Sequence, residues 1–230
     1  MTSTDLKTSD ISIIIPTLNE EHNIGAIADT LQGKAGEIII VDGGSTDRTV
    51  LFARKRGLRV EESTVGRAAQ LNCGAACADG PVLLFLHADT RLPEDFSAPL
   101  LRTLAERDVI AGAFSLAIRD AGPALRCIAF CTNLRSRWLQ LPYGDQALFI
   151  SKEDFLRVGG FPQIPIMEDA VFIKKAKALG RIATVPEQAT TSARRWRRLG
   201  VMRTTLINQI IILGFALGIS PERLASLYRR

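Results

Sequence analysis

The chain of 230 residues holds no apolar run long enough to cross a bilayer. Its longest, residues 206–219, is interrupted by Asn208 and Gln209 and falls short of the roughly 20 residues a spanning helix needs. The polar opening, residues 1–10, carries Asp5 and Asp10 and lacks an apolar h-region, so no secretory signal is expected there. The G-x-G-x-x-G fingerprint is missing after Ile15 and after Val41, which argues against a dinucleotide-dependent dehydrogenase. There are only 4 cysteines, and they fall in two pairs, Cys73/Cys77 and Cys127/Cys131, within Ala-rich helical surroundings. The Gly and polar residues of a zinc knuckle are absent, so buried reduced thiols in a cytoplasmic compartment are expected. No helix-turn-helix, RNA-binding aromatic motif or zinc finger accompanies the basic residues, and no nucleic-acid partner is expected. Internal repeats and low-complexity linkers are lacking as well.

What is present suits one domain with a tail: a polar arm over 1–10, a main domain over 11–198, and an apolar, amphipathic helical tail over 199–230. The 47% hydrophobic content supports a substantial core. The net charge of +5 is uneven. Arg194, Arg195, Arg197, Arg198 and Arg203 crowd one stretch, and Arg223, Arg229 and Arg230 close the chain. Such a cluster suits an anionic membrane or a phosphorylated substrate.

The first two-thirds alternates strand and helix. A β-branched run over 11–15 precedes a helix carrying Ile24, Ile27 and Leu31 on one face. Strand 37–41, helix 46–56, strand 58–61, helix 67–78 and strand 82–86 follow, predicting a parallel core. Beyond it the pattern predicts a helix from Pro93, a strand over 109–118, a helix over 124–139, a strand over 147–150, and helices over 152–158 and 167–179. The tail segment 206–219 has three readings: a helix lying in a membrane interface, a core helix, or an apolar face buried in a homodimer.

Polar residues collect where buried strands end. Parallel strands bind ligands beyond their carboxyl ends, which puts Asn19, Glu20, Asp42, Ser45 and Asp47 in position for a ligand. His87 and Asp89 leave a third strand on the same side, with Ala88 opposite, and the pair suits a divalent cation, Mn²⁺ or Mg²⁺. A His–Asp hydrogen bond at a strand end is the plainer alternative. Glu168 and Asp169 open a helix, where acids are favoured by the dipole; the sharper reading makes one of them a general base.

In order, Pro16-Thr17-Leu18-Asn19-Glu20, Val41-Asp42-Gly43-Gly44-Ser45-Thr46-Asp47, Leu86-His87-Ala88-Asp89 and Glu168-Asp169 resemble glycosyltransferase family 2, across residues 11–198. The compact size and the Ser192-Ala193-Arg194-Arg195-Trp196 ending resemble a small bacterial subgroup. The resemblance implies the GT-A fold, a mostly parallel central sheet flanked by helices, and a nucleotide-diphosphate-sugar donor. It implies that Pro16, Thr17, Asn19 and Glu20 line the base and ribose pocket, that Asp42 accepts from the nucleobase, and that Arg67 and Asn72 reach the nucleotide. Asp89, with His87 beside it, would bind the metal. Asp169 would be the base and Glu168 its neighbour. Arg194, Arg195 and Trp196 would close over diphosphate and acceptor. Asp145 and Gln146 would border the acceptor or form a plain turn.

His87 stands where relatives usually carry the first Asp of Asp-x-Asp. Ser192 stands where processive relatives carry Gln, which argues against a polymerase. The expected function is therefore inverting transfer of one sugar to a hydroxyl acceptor. The basic, apolar tail points to a lipid or lipid phosphate as acceptor, and to peripheral contact on the inner face of the cytoplasmic membrane. The alternatives are a nucleotidyltransferase and a non-catalytic sugar-nucleotide-binding or interaction protein.

Overall fold

The computed structural model describes residues 6–119 and 121–229. The first half of the polar arm, residues 1–5, lies outside them. A seven-stranded sheet of order β3-β2-β1-β4-β6-β5-β7 forms the centre. Its strands are β1 (Ile11–Thr17), β2 (Glu37–Asp42), β3 (Arg59–Glu62), β4 (Val82–Phe85), β5 (Val109–Ile118), β6 (Phe149–Ser151) and β7 (Arg181–Thr191). The first four are mutually parallel, and β5 and β7 are parallel to each other. β6 runs antiparallel between β4 and β5.

Alternation along β1 divides the core. Ile14 points into a layer with Val41, Leu83, Phe85, Leu71 and Ala75, the last two from α3 (Arg67–Cys77). Ile11, Ile13 and Ile15 point the other way, onto Ile24, Ile27 and Leu31 of α1 (Glu21–Leu31). Both faces being covered explains the continuous apolar run. α3 lies so close to β1 that a Cβ on Gly74 would come within 2.4 Å of Ile14 Cγ2.

Helix α2 (Thr49–Lys55) begins three residues later than the expected 46–56. Asp47 spends its carboxylate on this entry, accepting from the Thr49 N–H at 2.9 Å and the Thr49 hydroxyl at 2.5 Å. Then come α4 (Ser97–Leu104), α5 (Pro123–Leu139), α6 (Lys152–Val158) and α7 (Glu168–Lys177). β7 has no counterpart in the sequence reading. Its pairing with β5 slips where Phe114 faces Val185 and Ser115 faces Gln188, so Pro186, which has no N–H to donate, falls in the irregularity.

All four cysteines are free, but the burial expected of them is not observed: Cys73 and Cys77 are half-buried, and Cys127 and Cys131 are exposed on α5. Three helices finish the chain, α8 (Arg194–Leu199), α9 (Val201–Ala216) and α10 (Pro221–Arg229). Among the described residues, no helix is long and apolar enough to cross a membrane. α9 instead packs through Thr204, Ile211 and Gly214, the last so near Leu224 of α10 that a Cβ there would meet Leu224 Cδ2 at 2.9 Å.

Candidate active site

One cavity of about 680 Å³ opens beyond the ends of β1 and β4. β1 brings Pro16 and Thr17 to its wall, with Leu18 and Glu20 from the following loop. The turn after β4 brings His87 and Asp89, and α3 brings Arg67 and Gln70. The start of α7 supplies Glu168 and Asp169, and α8 supplies Arg194, Arg195 and Trp196. The motifs around 16–20, 86–89, 168–169 and 192–196 thus meet in space although up to 180 residues separate them, while the motif over 41–47 does not line the cavity.

Asp169 is held by backbone amides on both oxygens: the Gly144 N–H donates to Oδ2 and the Ala170 N–H to Oδ1, each at 2.7 Å. Glu168 is 3% exposed and pairs with Arg67, whose Nη1 lies 3.5 Å from Oε1. Burial pushes the Glu168 carboxyl above its ordinary range and Asp169 adds to this, while Arg67 opposes both. Arg194 binds Glu20 at 2.9 Å and approaches Asp89 at 3.9 Å. Burial raises the Asp89 carboxyl against the pull of Arg194. Burial, helped by the charge of Arg67, lowers His87 to about 3, leaving a neutral imidazole with a free lone pair.

His87 and Asp89 therefore present one nitrogen and one carboxylate to the same cavity, a donor set fit for a divalent cation whose remaining positions come from a ligand. Among the described residues no group of three or more His, Cys, Asp or Glu is placed to hold a metal.

The sequence model described as Glycosyl transferase family 2 matches residues 12–161. The chain belongs to this family. Among curated relatives, glucosyl-3-phosphoglycerate synthase of Mycolicibacterium smegmatis is 29% identical over 104 residues, covering 40% of this chain and 34% of the relative. Dolichyl-phosphate hexose transferase of Haloferax volcanii is 30% identical over 114 residues, covering 47% of this chain and 50% of the relative. The chain thus matches between a third and a half of the length of these two proteins. The solved glucosyl-3-phosphoglycerate synthase of Mycobacterium tuberculosis, with Mn²⁺, UDP and glucosyl-3-phosphoglycerate, superposes with a TM-score of 0.60 at 24% identity, covering 87% of this chain and 78% of that one. The fold is GT-A, as expected.

In this family 2 chain, six of the expected site residues, Asn19, Asp42, Ser45, Asp47, Asn72 and Gln146, do not line the cavity. Asp42 is 4% exposed and closes the turn after β2, accepting from the Gly44 and Ser45 amides at 2.9 and 2.8 Å and from the Ser45 hydroxyl. Asn19, at φ +55°, receives the Thr46 N–H at 2.9 Å and so locks the β1 and β2 loops together. Asn72 exchanges two hydrogen bonds with the backbone of Phe161. Gln146 is fully buried, donating to the Phe114 carbonyl at 3.0 Å and accepting from the Ser136 hydroxyl at 2.6 Å.

Conversely, Arg135, Tyr143, Thr204, Thr205, Asn208 and Tyr228 line the cavity without having been singled out for it. Polar residues at 204 and 208, four apart around an apolar run, were the available signal.

Proposed function

We propose that this chain transfers a single sugar from a nucleotide-diphosphate donor to a hydroxyl acceptor by one inverting displacement. The observation that carries this reading is the convergence of Asp89, Asp169 and Arg194 on one cavity at the strand ends. The nucleotide would lie along Pro16, Thr17 and Glu20, with its diphosphate toward Asp89 and Arg194. His87 and Asp89 would hold a divalent cation. Mn²⁺ or Mg²⁺, when bound, would act as a Lewis acid that neutralises the leaving diphosphate.

Asp169 receives the proton of the acceptor hydroxyl as that oxygen bonds to the anomeric carbon. The bond from that carbon to the diphosphate oxygen breaks in the same step, and the nucleoside diphosphate leaves with the electron pair. Arg194 offers a guanidinium fork to the charge that develops there. Support for the donor comes from the Mycobacterium tuberculosis structures, solved with UDP-glucose and Mn²⁺ and with UDP and Mg²⁺.

Contact with the cytoplasmic face of a membrane belongs to the same proposal. Met202, Leu206, Ile210, Leu213 and Leu217 recur every three or four residues on the exposed side of α9. Exposed Arg198 and Arg203 border this stripe. An apolar face flanked by cations suits an anionic lipid surface.

Calorimetric titration with UDP, GDP and their sugar conjugates, with and without Mn²⁺, tests the donor site. Metal-dependent binding of one diphosphate, lost in Asp89→Ala, is expected. A folded sample that binds none of them and turns over no donor overturns the reading.

A further inference from the structure

Among the described residues, eight buried side-chain nitrogen or oxygen atoms lack a hydrogen-bond partner, and six of them belong to residues that line the candidate-site cavity. They are Arg135 Nη2, Arg195 Nε, Trp196 Nε1, Thr204 Oγ1, Thr205 Oγ1 and Asp145 Oδ1. Leaving such a group unpaired costs about 1–3 kcal/mol, so six among the residues around one cavity point to a ligand that would pair them. Helical threonines ordinarily bond the carbonyl one turn back; Thr204 and Thr205 do not, although Thr204 is fully buried.

Both arginines are held rigid by other groups. Arg135 stacks 3.8 Å over the Tyr143 ring and donates through Nε to the Leu141 carbonyl. Arg195 stacks 3.4 Å over the Tyr228 ring and donates through Nη2 to the Tyr228 carbonyl. Neither forms an ion pair with a carboxylate, whereas Arg67 and Arg194 both do. The residues of this wall therefore carry five unpartnered donors, two of them cationic, and one unpartnered carboxylate oxygen.

Resting on the transferase reading above, we propose that this wall is the acceptor subsite and that it takes a phosphorylated hydroxyl compound. The phosphate oxygens bind Arg135, Arg195 and the threonine hydroxyls, since a tetrahedral anion matches several convergent donors. The hydroxyl to be glycosylated donates to Asp145 or Asp169. Asp145 lies close enough to Asp169 for their charges to act on each other, which joins the subsite to the base. The phosphate belongs either to a free ester or to a lipid headgroup.

The test titrates the full chain, loaded with UDP and Mn²⁺, with glycerol 3-phosphate and with glycerol. Vesicles of phosphatidylglycerol and of phosphatidylcholine form a second arm. Glycerol 3-phosphate is expected to bind at least about tenfold more tightly than glycerol. Arg135→Gln should erase most of that preference while UDP affinity stays within about twofold, and Arg195→Gln should also weaken glycerol 3-phosphate binding. Arg135→Lys should recover part of it. If only phosphatidylglycerol vesicles bind, in an Arg135-dependent way, the phosphate is a lipid headgroup.

Equal binding of glycerol and its phosphate, or no Arg135-dependent binding in either arm, overturns the subsite while UDP binding preserves the transferase reading. Arginine variants that lose UDP affinity with their melting temperature intact return these residues to the donor site. Failure of UDP alongside Arg135-dependent binding of glycerol 3-phosphate keeps the anion site and removes the transferase.

Discussion

The Gly144 N–H donates to Oδ2 of Asp169 at 2.7 Å, tying the first turn of α7 to the turn that precedes β6. A carboxylate fixed in this way faces the cavity in one orientation, and orientation is a large part of what a general base supplies. Asp169→Asn is expected to leave donor affinity unchanged and to slow transfer by about two orders of magnitude or more. Gly144→Ala puts a Cβ 3.1 Å from His87 Nε2 and 3.3 Å from Asp169 Oδ2, so a smaller loss in kcat, about tenfold, is expected. Steady-state kinetics of both variants, with donor KM measured separately, checks this. Full transfer by Asp169→Asn would place the base elsewhere.

Gln146 holds the same turn from below, through Phe114 and Ser136. Gln146→Leu removes the donor to the buried Phe114 carbonyl and one of the two acceptors of the Ser136 hydroxyl, which keeps the Thr132 carbonyl, a loss of about 1–3 kcal/mol. Urea denaturation is expected to show that loss, with transfer per folded molecule retained. A variant as stable as the parent but unable to use acceptor would return Gln146 to the site.

Asp145 carries a pH signature. Burial holds its carboxyl at about 6, with Asp169 adding to the shift and Arg135 opposing it, against an ordinary 3.8. A raised carboxyl binds its proton more tightly when folded, so its contribution to stability is full below pH 4 and is lost as pH rises through 6. Asp145→Asn should therefore match the parent near pH 4 and exceed it at pH 7 by on the order of 1–2 kcal/mol. Denaturation midpoints across that range decide it; a constant difference would mean that Asp145 titrates normally.

On the outer face of α9, Leu206 and Leu213 are each 61% exposed. Replacing both with Glu is expected to abolish co-sedimentation with phosphatidylglycerol vesicles while use of a soluble acceptor persists. Undiminished sedimentation would assign the stripe to contacts between copies of the chain.

The proposed donor half was legible because its residues sit at the ends of continuous β-branched runs, so finding β1 and β4 also located Glu20, His87 and Asp89 beside the cavity. Asn19 and Asp42 show a second use of the same pattern. Their spacing fits a ligand site and a loop lock equally well, and the hydrogen bonds to Ser45 and Thr46 are what reveal the loop lock. The proposed acceptor wall was harder to read for a different reason. Arg135 and Thr204 belong to helices whose docking depends on contacts between distant segments, and a threonine within an apolar helix looks the same whether it faces a ligand or a neighbouring side chain. β7 escaped because Pro186 and Glu187 break its alternation.

Arg195 clamps Tyr228, and so the last helix of the chain is pinned beside the cavity by a residue that also faces into it. On the proposed reading, the base and ribose draw on residues before 90, Arg194 serves the diphosphate, and whatever receives the sugar meets mostly residues after 130. Exchanging the segment after Gly200 for that of a relative is then expected to change which acceptor is chosen while leaving nucleotide selection where it was, so that the two specificities would behave as separable modules.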